Sequence, residues 1–204
     1  MKIDLEDVFI TPFKILSEKW TIAVPIIIAL ALQLIFDISI KSTVGGLWKY
    51  GAWASLAQII LKIIIFFLLA WQTVLFRKFE GEGEEEDLNE SFSEVSKKVI
   101  DVIITAIVVG FLIGIGTLAF VIPGLILAIL LVYSPSAIVV KNLGVSEAIK
   151  ESFDFTFKRG NLVQTIILLI IIFVFSFIPI VGSYFSTFLL MLWIPYAYVK
   201  FSEE

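Results

Sequence analysis

Long apolar stretches separated by short polar ones set the layout of this chain. Residues 99–140 make 42 positions with a single charge, Asp101. As one helix they would run about 63 Å at 1.5 Å per residue, roughly twice a hydrocarbon core of about 30 Å, so the chain has to turn back. Ile122-Pro123-Gly124 offers the break, because proline lacks an amide hydrogen and glycine tolerates left-handed angles. The same reasoning applies to residues 160–199, which carry no charge and are divided by Pro179 and Gly182. Two apolar runs come earlier. The first is uncharged from Trp20 to Phe36 with Asp37 at its far end, and Pro25 one turn in predicts a kink. The second is interrupted by Lys62 and ended by Arg77-Lys78. The pattern predicts six transmembrane helices, near 20–38, 52–76, 99–121, 124–141, 161–178 and 181–200, arranged as three hairpins.

Each hairpin is preceded by an amphipathic stretch. In 3–19, Leu5, Val8, Phe9, Phe13 and Leu16 recur at helical spacing, with Asp4, Glu6, Asp7, Lys14 and Glu18 opposite. Thr11-Pro12 predicts a restart within it, Thr11 as cap and Pro12 at the first helical position. Residues 88–98 form a shorter piece, led by an acidic loop at 79–90 (FEGEGEEEDLNE). Val145, Ala148, Ile149, Ser152, Phe153, Thr156 and Phe157 mark a further interfacial helix over 145–159, which Gly160 is placed to end. A phrase recurs at these three places: Phe13 to Lys19, Phe92 to Lys98 and Phe153 to Arg159 each set an aromatic six residues before a base. Pro135 to Lys141 and Pro195 to Lys200 also match near the inner ends of the second and third hairpins. Two readings stand: a threefold repeat of helix plus hairpin, or a generic interfacial lead-in with a basic stop.

Composition narrows the class. The 204 residues are 59% hydrophobic and 17% charged, with a mean hydropathy of +1.03; an ordinary soluble domain is excluded and one membrane domain over 1–204 is expected. The formal charge of −4, with much of the acid in one loop, argues against nucleic acid as a partner. Histidine and cysteine are absent. No catalytic residue, metal site or cofactor is therefore predicted. The first 19 residues lack a continuous apolar core, so no cleavable signal is expected and the first span is expected to serve for insertion. Of the basic residues, twelve fall on the side of the N-terminus, Lys41 and Lys49 fall opposite, and Lys62 lies within a span. That asymmetry predicts a multi-pass protein of the cell membrane with both termini cytoplasmic.

Polar residues inside the apolar runs are the candidate chemistry. Lys62 is costly in a span unless paired or facing a cavity. Asp37, Gln33 and Gln58 are the partners that the layout offers, as a polar seam between the first two spans. The seam reads either as an ion or substrate path or as a structural pair with the lysine stem reaching outward. Asp101 reads as an interfacial ion pair with Lys97 or Lys98, or as a proton relay. Gly110 and Gly114, with Gly116 as an extra glycine, form a small-residue motif for helix packing, within the chain or against a second copy. Pro123, Gly124, Pro135, Pro179 and Pro195 are the predicted turns and kinks. Ser134-Pro135-Ser136 reads as a kink whose freed groups the serines meet, or as a broken-helix binding site. Asn161, Gln164 and Thr165 are candidate caps for the fifth span. The acidic run reads as a solvated linker, or as a cation collector without the ordered oxygens of a calcium loop. Trp20, Trp48, Trp53, Trp71 and Trp193 read as interfacial belt residues.

From Ile122-Pro123-Gly124 through Ser134-Pro135 to SEAIKESFDFTFKRGN (146–161), the sequence resembles the membrane-domain family associated with glycerophosphodiester phosphodiesterases, and related stand-alone archaeal and bacterial multi-span proteins. The family pattern of an alanine, a serine and a basic pair is met by Ala148, Ser152, Lys158 and Arg159. Lys141-Asn142 stands where the family carries an acid. The resemblance implies six helices and no settled activity. The leading expectation is a non-enzymatic polytopic membrane protein that organises lipid or serves a membrane partner, with membrane lipids and a second copy or another membrane protein as its partners. The alternative is a small transporter or channel with a polar path near Lys62.

Overall fold

The computed structural model describes residues 2–43, 51–82 and 87–202, which are helical throughout apart from turns. Helix α1 (Leu5–Glu18) is capped by Asp4, whose carboxylate accepts from the Glu6 amide. It runs unbroken through Pro12. The restart expected at Thr11 does not occur: the Thr11 hydroxyl instead donates to Asp7 Oδ1 at 2.6 Å, and burial of Pro12 with Val8 and Ile15 offsets the one backbone bond that proline removes. A 3-10 turn at Trp20–Ile22 leads to α2 (Ala23–Thr43). Pro25 lies in the first turn of α2, where its missing amide forfeits no helical bond. The polar turn expected at 41–51, with Trp48, falls largely on 44–50, outside the described residues.

Helix α3 (Gly51–Glu82) is 32 residues long, about 48 Å and more than a bilayer core requires. The acidic loop expected from 79 therefore begins no earlier than 83. Glu80, still helical, pairs with Lys200 at 2.9 Å, and Glu90 with Lys78 at 2.8 Å. Helix α4 (Leu88–Ser96) is capped by Asp87.

Helices α5 (Val99–Ala119) and α6 (Val121–Leu131) fold back on each other at Phe120, which is extended with φ −160°. The turn expected at Ile122-Pro123-Gly124 thus lies two residues earlier. Pro123 lies in the first turn of α6 and does not break it, because a proline there forfeits nothing. Gly124 is inside the helix, and its role is closeness, not a left-handed angle. A methyl group there would sit 2.1 Å from Thr117 Oγ1 and 2.6 Å from the Thr117 amide nitrogen; one on Gly116 would meet Gly124 Cα at 2.9 Å.

A break at 132–133 separates α6 from α7 (Ser134–Val140). Asn142, at φ 54°, turns the chain into α8 (Val145–Phe153), which continues as a π-helical turn, Asp154–Lys158. Gly160, at φ 77°, ends it as its position predicted. Helix α9 (Leu162–Ser176) leaves at 102° to that segment. Pro179 lies in the following turn, and α10 (Gly182–Ser202) runs back along α9 with Pro195 inside it.

Among the described residues four stretches, Trp20–Ser39, Ser55–Glu80, Val99–Ala119 and Val121–Val140, are long and apolar enough to cross a membrane, and the bent pair Val145–Lys158 with Leu162–Ser176 makes a fifth if it counts as one span. Helix α9 has 15 residues, about 22 Å, short of a full core on its own. Burial is lopsided along the helices. Tyr133, Tyr196, Tyr198, Phe76, Phe155 and Phe201 are fully enclosed where α3, α7, α8 and α10 meet. At the opposite end Leu118 and Ile180 are each 89% exposed, an arrangement that suits a hydrocarbon solvent and not water.

Candidate functional site

The four residues of the predicted polar seam are not brought together. Lys62 and Gln58 stand exposed on α3, and no carboxylate pairs with Lys62 among the described residues. Asp37 and Gln33 turn instead toward α10. The Tyr184 hydroxyl donates to Asp37 Oδ2 at 2.7 Å, and the Thr187 hydroxyl to Gln33 Oε1 at 2.9 Å. The two α2 positions are one turn apart, so they share a face, and Tyr184 and Thr187 are spaced to meet them. Sequence spacing put Asp37 nearest to Lys62 in topology; helix rotation decides the partner, and that is invisible in one dimension.

Beside these contacts an open groove of about 570 Å³ runs between α2, α9 and α10. Its walls are Leu30, Phe175, Ile178, Val181, Phe185 and Phe188, with Tyr184 closing one side. Phe175 and Phe185 meet edge to face, ring centroids 4.8 Å apart, and Phe185 stacks on Phe188. The groove and the Asp37 carboxylate therefore share Tyr184.

The other end of the molecule holds the ionic groups. Glu151 Oε1 accepts from Lys141 Nζ at 2.6 Å and from Arg159 Nη2 at 3.0 Å, with the Tyr198 hydroxyl 3.5 Å away. Arg159 Nη1 donates to the Ser202 carbonyl at 3.1 Å, and Arg77 Nη1 to the Val139 carbonyl at 2.8 Å while its other arm pairs with Glu94. Each arginine thus supplies donors to the last turn of a helix, α10 and α7 respectively, where carbonyls lack amide partners and a positive charge is favoured. The Tyr196 hydroxyl donates to Asp7 Oδ2 at 2.8 Å and ties α1 to α10. Asp101 lies 3.9 Å from Lys98, the expected ion pair.

The break at Pro135 is closed by two serines, of which the local sequence shows one. Pro135 offers no amide to the Leu131 carbonyl; Ser134 Oγ donates to it at 2.8 Å. Ser152, on α8, donates to the Leu130 carbonyl at 2.8 Å and accepts from the Tyr133 amide at 3.1 Å. Ser136 bonds Thr73 on α3 at 2.9 Å. No local signal points to Ser152 as the residue inserted here, although its place in the alanine-serine-basic pattern singles it out. Asn161 caps nothing: its amide oxygen accepts from the Ile3 amide at 2.9 Å and its nitrogen donates to the Phe155 carbonyl at 3.0 Å, pinning the start of the chain to the α8–α9 junction. Thr165 bonds the Asn161 carbonyl and Tyr133, while Gln164 Oε1 is buried without a partner among the described residues.

Other expectations shift as well. Gly110 and Gly114 have nothing within 4 Å of an added methyl, so the close approach belongs to Gly116 and Gly124. Trp71 is buried and its indole donates to Ser91 at 2.9 Å, joining α3 to α4. Trp193 is buried against Phe9, ring centroids 5.0 Å apart. Only Trp20, 70% exposed, has the exposure of a belt residue among the tryptophans whose side chains are described.

Residues 51–203 match a family described as a domain of unknown function, DUF7847. No curated protein and no solved structure matches. These comparisons do not bear on the resemblance to phosphodiesterase-associated membrane domains.

Proposed function

The chain belongs to the DUF7847 family, and from its own geometry we propose that it is a non-enzymatic, multi-pass membrane protein that organises the lipid around it. In this reading α9 and α10 join the four long helices to make six crossings in three hairpins, each entered from an interfacial helix, with both termini cytoplasmic. Support for the repeat comes from equivalent placements: Phe13, Phe92 and Phe153 are 39%, 45% and 37% exposed, and Lys19, Lys98 and Arg159 are all half-buried. The near-perpendicular α8–α9 junction suits a helix lying in the membrane plane.

The observation that carries the lipid role is the division of labour between polar and apolar groups. The polar side chains of α2 beside the groove, Asp37 and Gln33, are held by Tyr184 and Thr187, while the groove is walled by hydrocarbon and aromatic side chains. Such a surface presents shape to acyl chains and no hydrophilic path to a solute. The test is reconstitution into liposomes carrying an environment-sensitive lipid dye and an entrapped ion indicator. The expected result is raised lipid order with no solute flux above protein-free vesicles. A saturable flux abolished by Lys62→Leu would instead support a transporter, and the lipid role would be withdrawn.

A further inference from the structure

We propose that the α2–α9–α10 groove is a lipid site selective for an ammonium-bearing head group: one acyl chain lies along the apolar walls and the head-group amine meets Asp37. The inference rests on the lipid-organising reading and adds the ligand class. Three observations point the same way. The groove walls offer only carbon and aromatic faces along Leu30, Ile178, Phe185 and Phe188, and about 570 Å³ suits a long single chain. Tyr184 belongs to the wall and its hydroxyl donates to Asp37, so a carboxylate that does not itself line the slot stands one side chain away from it. That carboxylate is half-buried on a span, one oxygen is held by Tyr184, and no cation pairs with it among the described residues. A carboxylate in this setting is costly unless a positive charge lies against it. Counting from Trp20, Asp37 stands about 25 Å along the helix, just inside the far edge of a core of about 30 Å and within reach of its head groups. The amine of a phosphatidylethanolamine-type lipid has the charge, the donors and the depth to complete the pair. An anionic lipid of the same chain length would set a phosphate beside Asp37 without an amine to offset it.

The full-length protein, delipidated in mild detergent, is titrated with phosphatidylethanolamine or phosphatidylglycerol of matched chains, and retained lipid is counted by native mass spectrometry. The wild type should hold one phosphatidylethanolamine in preference to phosphatidylglycerol by about tenfold, the scale of one charge-assisted hydrogen bond. Asp37→Asn should bring the ratio near one while one lipid is still retained. Val181→Trp, at an exposed position on the groove rim, should reduce retention of both lipids; if that variant does not fold, Ile178→Trp on the same wall replaces it. A preference unchanged in Asp37→Asn, or equal retention in the occluded variant, overturns the site. A wild type that holds its phosphatidylethanolamine but leaves bulk lipid order unchanged sinks the organising role and leaves the site standing.

Discussion

The two ends of the helix bundle are built by different means. Where α3, α7, α8 and α10 meet, the backbone is irregular, with a break at 132–133, a π-helical turn and a left-handed Asn142. The break and the π-helical turn are each met by a side chain from another element, Ser152 in the break and Asn161 at the junction, and Arg77 and Arg159 serve helix ends. At the opposite end the turns at Phe120 and 177–181 are tight and apolar, and little covers them. Directional bonds carry the first end; at the other, backbone proximity at Gly116 and Gly124 works beside the Tyr184–Asp37 and Thr187–Gln33 hydrogen bonds. An apolar surround contributes no hydrophobic drive between helices, so contacts have to come from polar pairs or from small residues that let backbones approach.

The largest effect that would break this comparison lies at Glu151. Its side chain is 16% exposed, and removing it leaves Lys141 and Arg159, each under a third exposed, without their shared carboxylate. Glu151→Ala should destabilise by about 2–3 kcal/mol, below the range for a fully buried pair because water reaches these groups in part. Unfolding in mixed micelles, followed by the fluorescence of the buried Trp71 and Trp193, reads it. A loss under about half a kcal/mol would mean that the ionic end is a solvated surface and not a fastening.

Second comes the apolar end. Gly124→Ala drives a methyl group against the Thr117 hydroxyl and backbone, and should cost about 1–3 kcal/mol because the backbone, unlike the hydroxyl, cannot move aside. The same unfolding assay checks it, and an unchanged midpoint would show that α5 and α6 stand further apart.

These two ends differ in how far a sequence reveals them. The apolar runs, the end at Gly160 and the Asp101–Lys98 pair follow from local rules of length, capping and charge, and they can be read directly. Gly124 stands out in the sequence but for the wrong property, since a Pro-Gly pair suggests a turn and gives no hint of a neighbour one helix away. The polar seam fails for the same reason. Lys62 and Asp37 are adjacent in topology, but the azimuth that α2 takes in packing against α3 and α10 carries Asp37 to Tyr184. A helix that is apolar all round has no polar stripe from which its facing could be read. What a sequence withholds here is rotation about the helix axis.

Ser152→Ala probes the irregular end more finely. The hydroxyl serves a carbonyl and an amide at once, both buried, and nothing else in the described residues bonds them across the break. Losing it should cost about 1–3 kcal/mol, the penalty for stranding buried backbone groups. Ser134→Ala, which strands only the Leu131 carbonyl, should cost less. Hydrogen exchange at the Tyr133 amide distinguishes them, since it should accelerate in Ser152→Ala and stay protected in Ser134→Ala.

The smallest effect is the most discriminating about what lies outside the chain. Gly110→Ala and Gly114→Ala add a methyl group where nothing approaches within 4 Å. In an exposed helix interior that change should be neutral or stabilising by up to about 1 kcal/mol, because alanine loses less backbone entropy than glycine. The small-residue motif on α5 would then be an ordinary lipid-facing surface, and Gly116 with Gly124 would carry the packing alone. If either variant is instead destabilised in a way that depends on protein concentration, with a shift in oligomeric state by single-molecule photobleaching in liposomes, the missing neighbour is a second copy. The apolar face would then use the same device between chains that Gly116 and Gly124 use within one, since a glycine pair permits close helix contact whichever molecule supplies the partner.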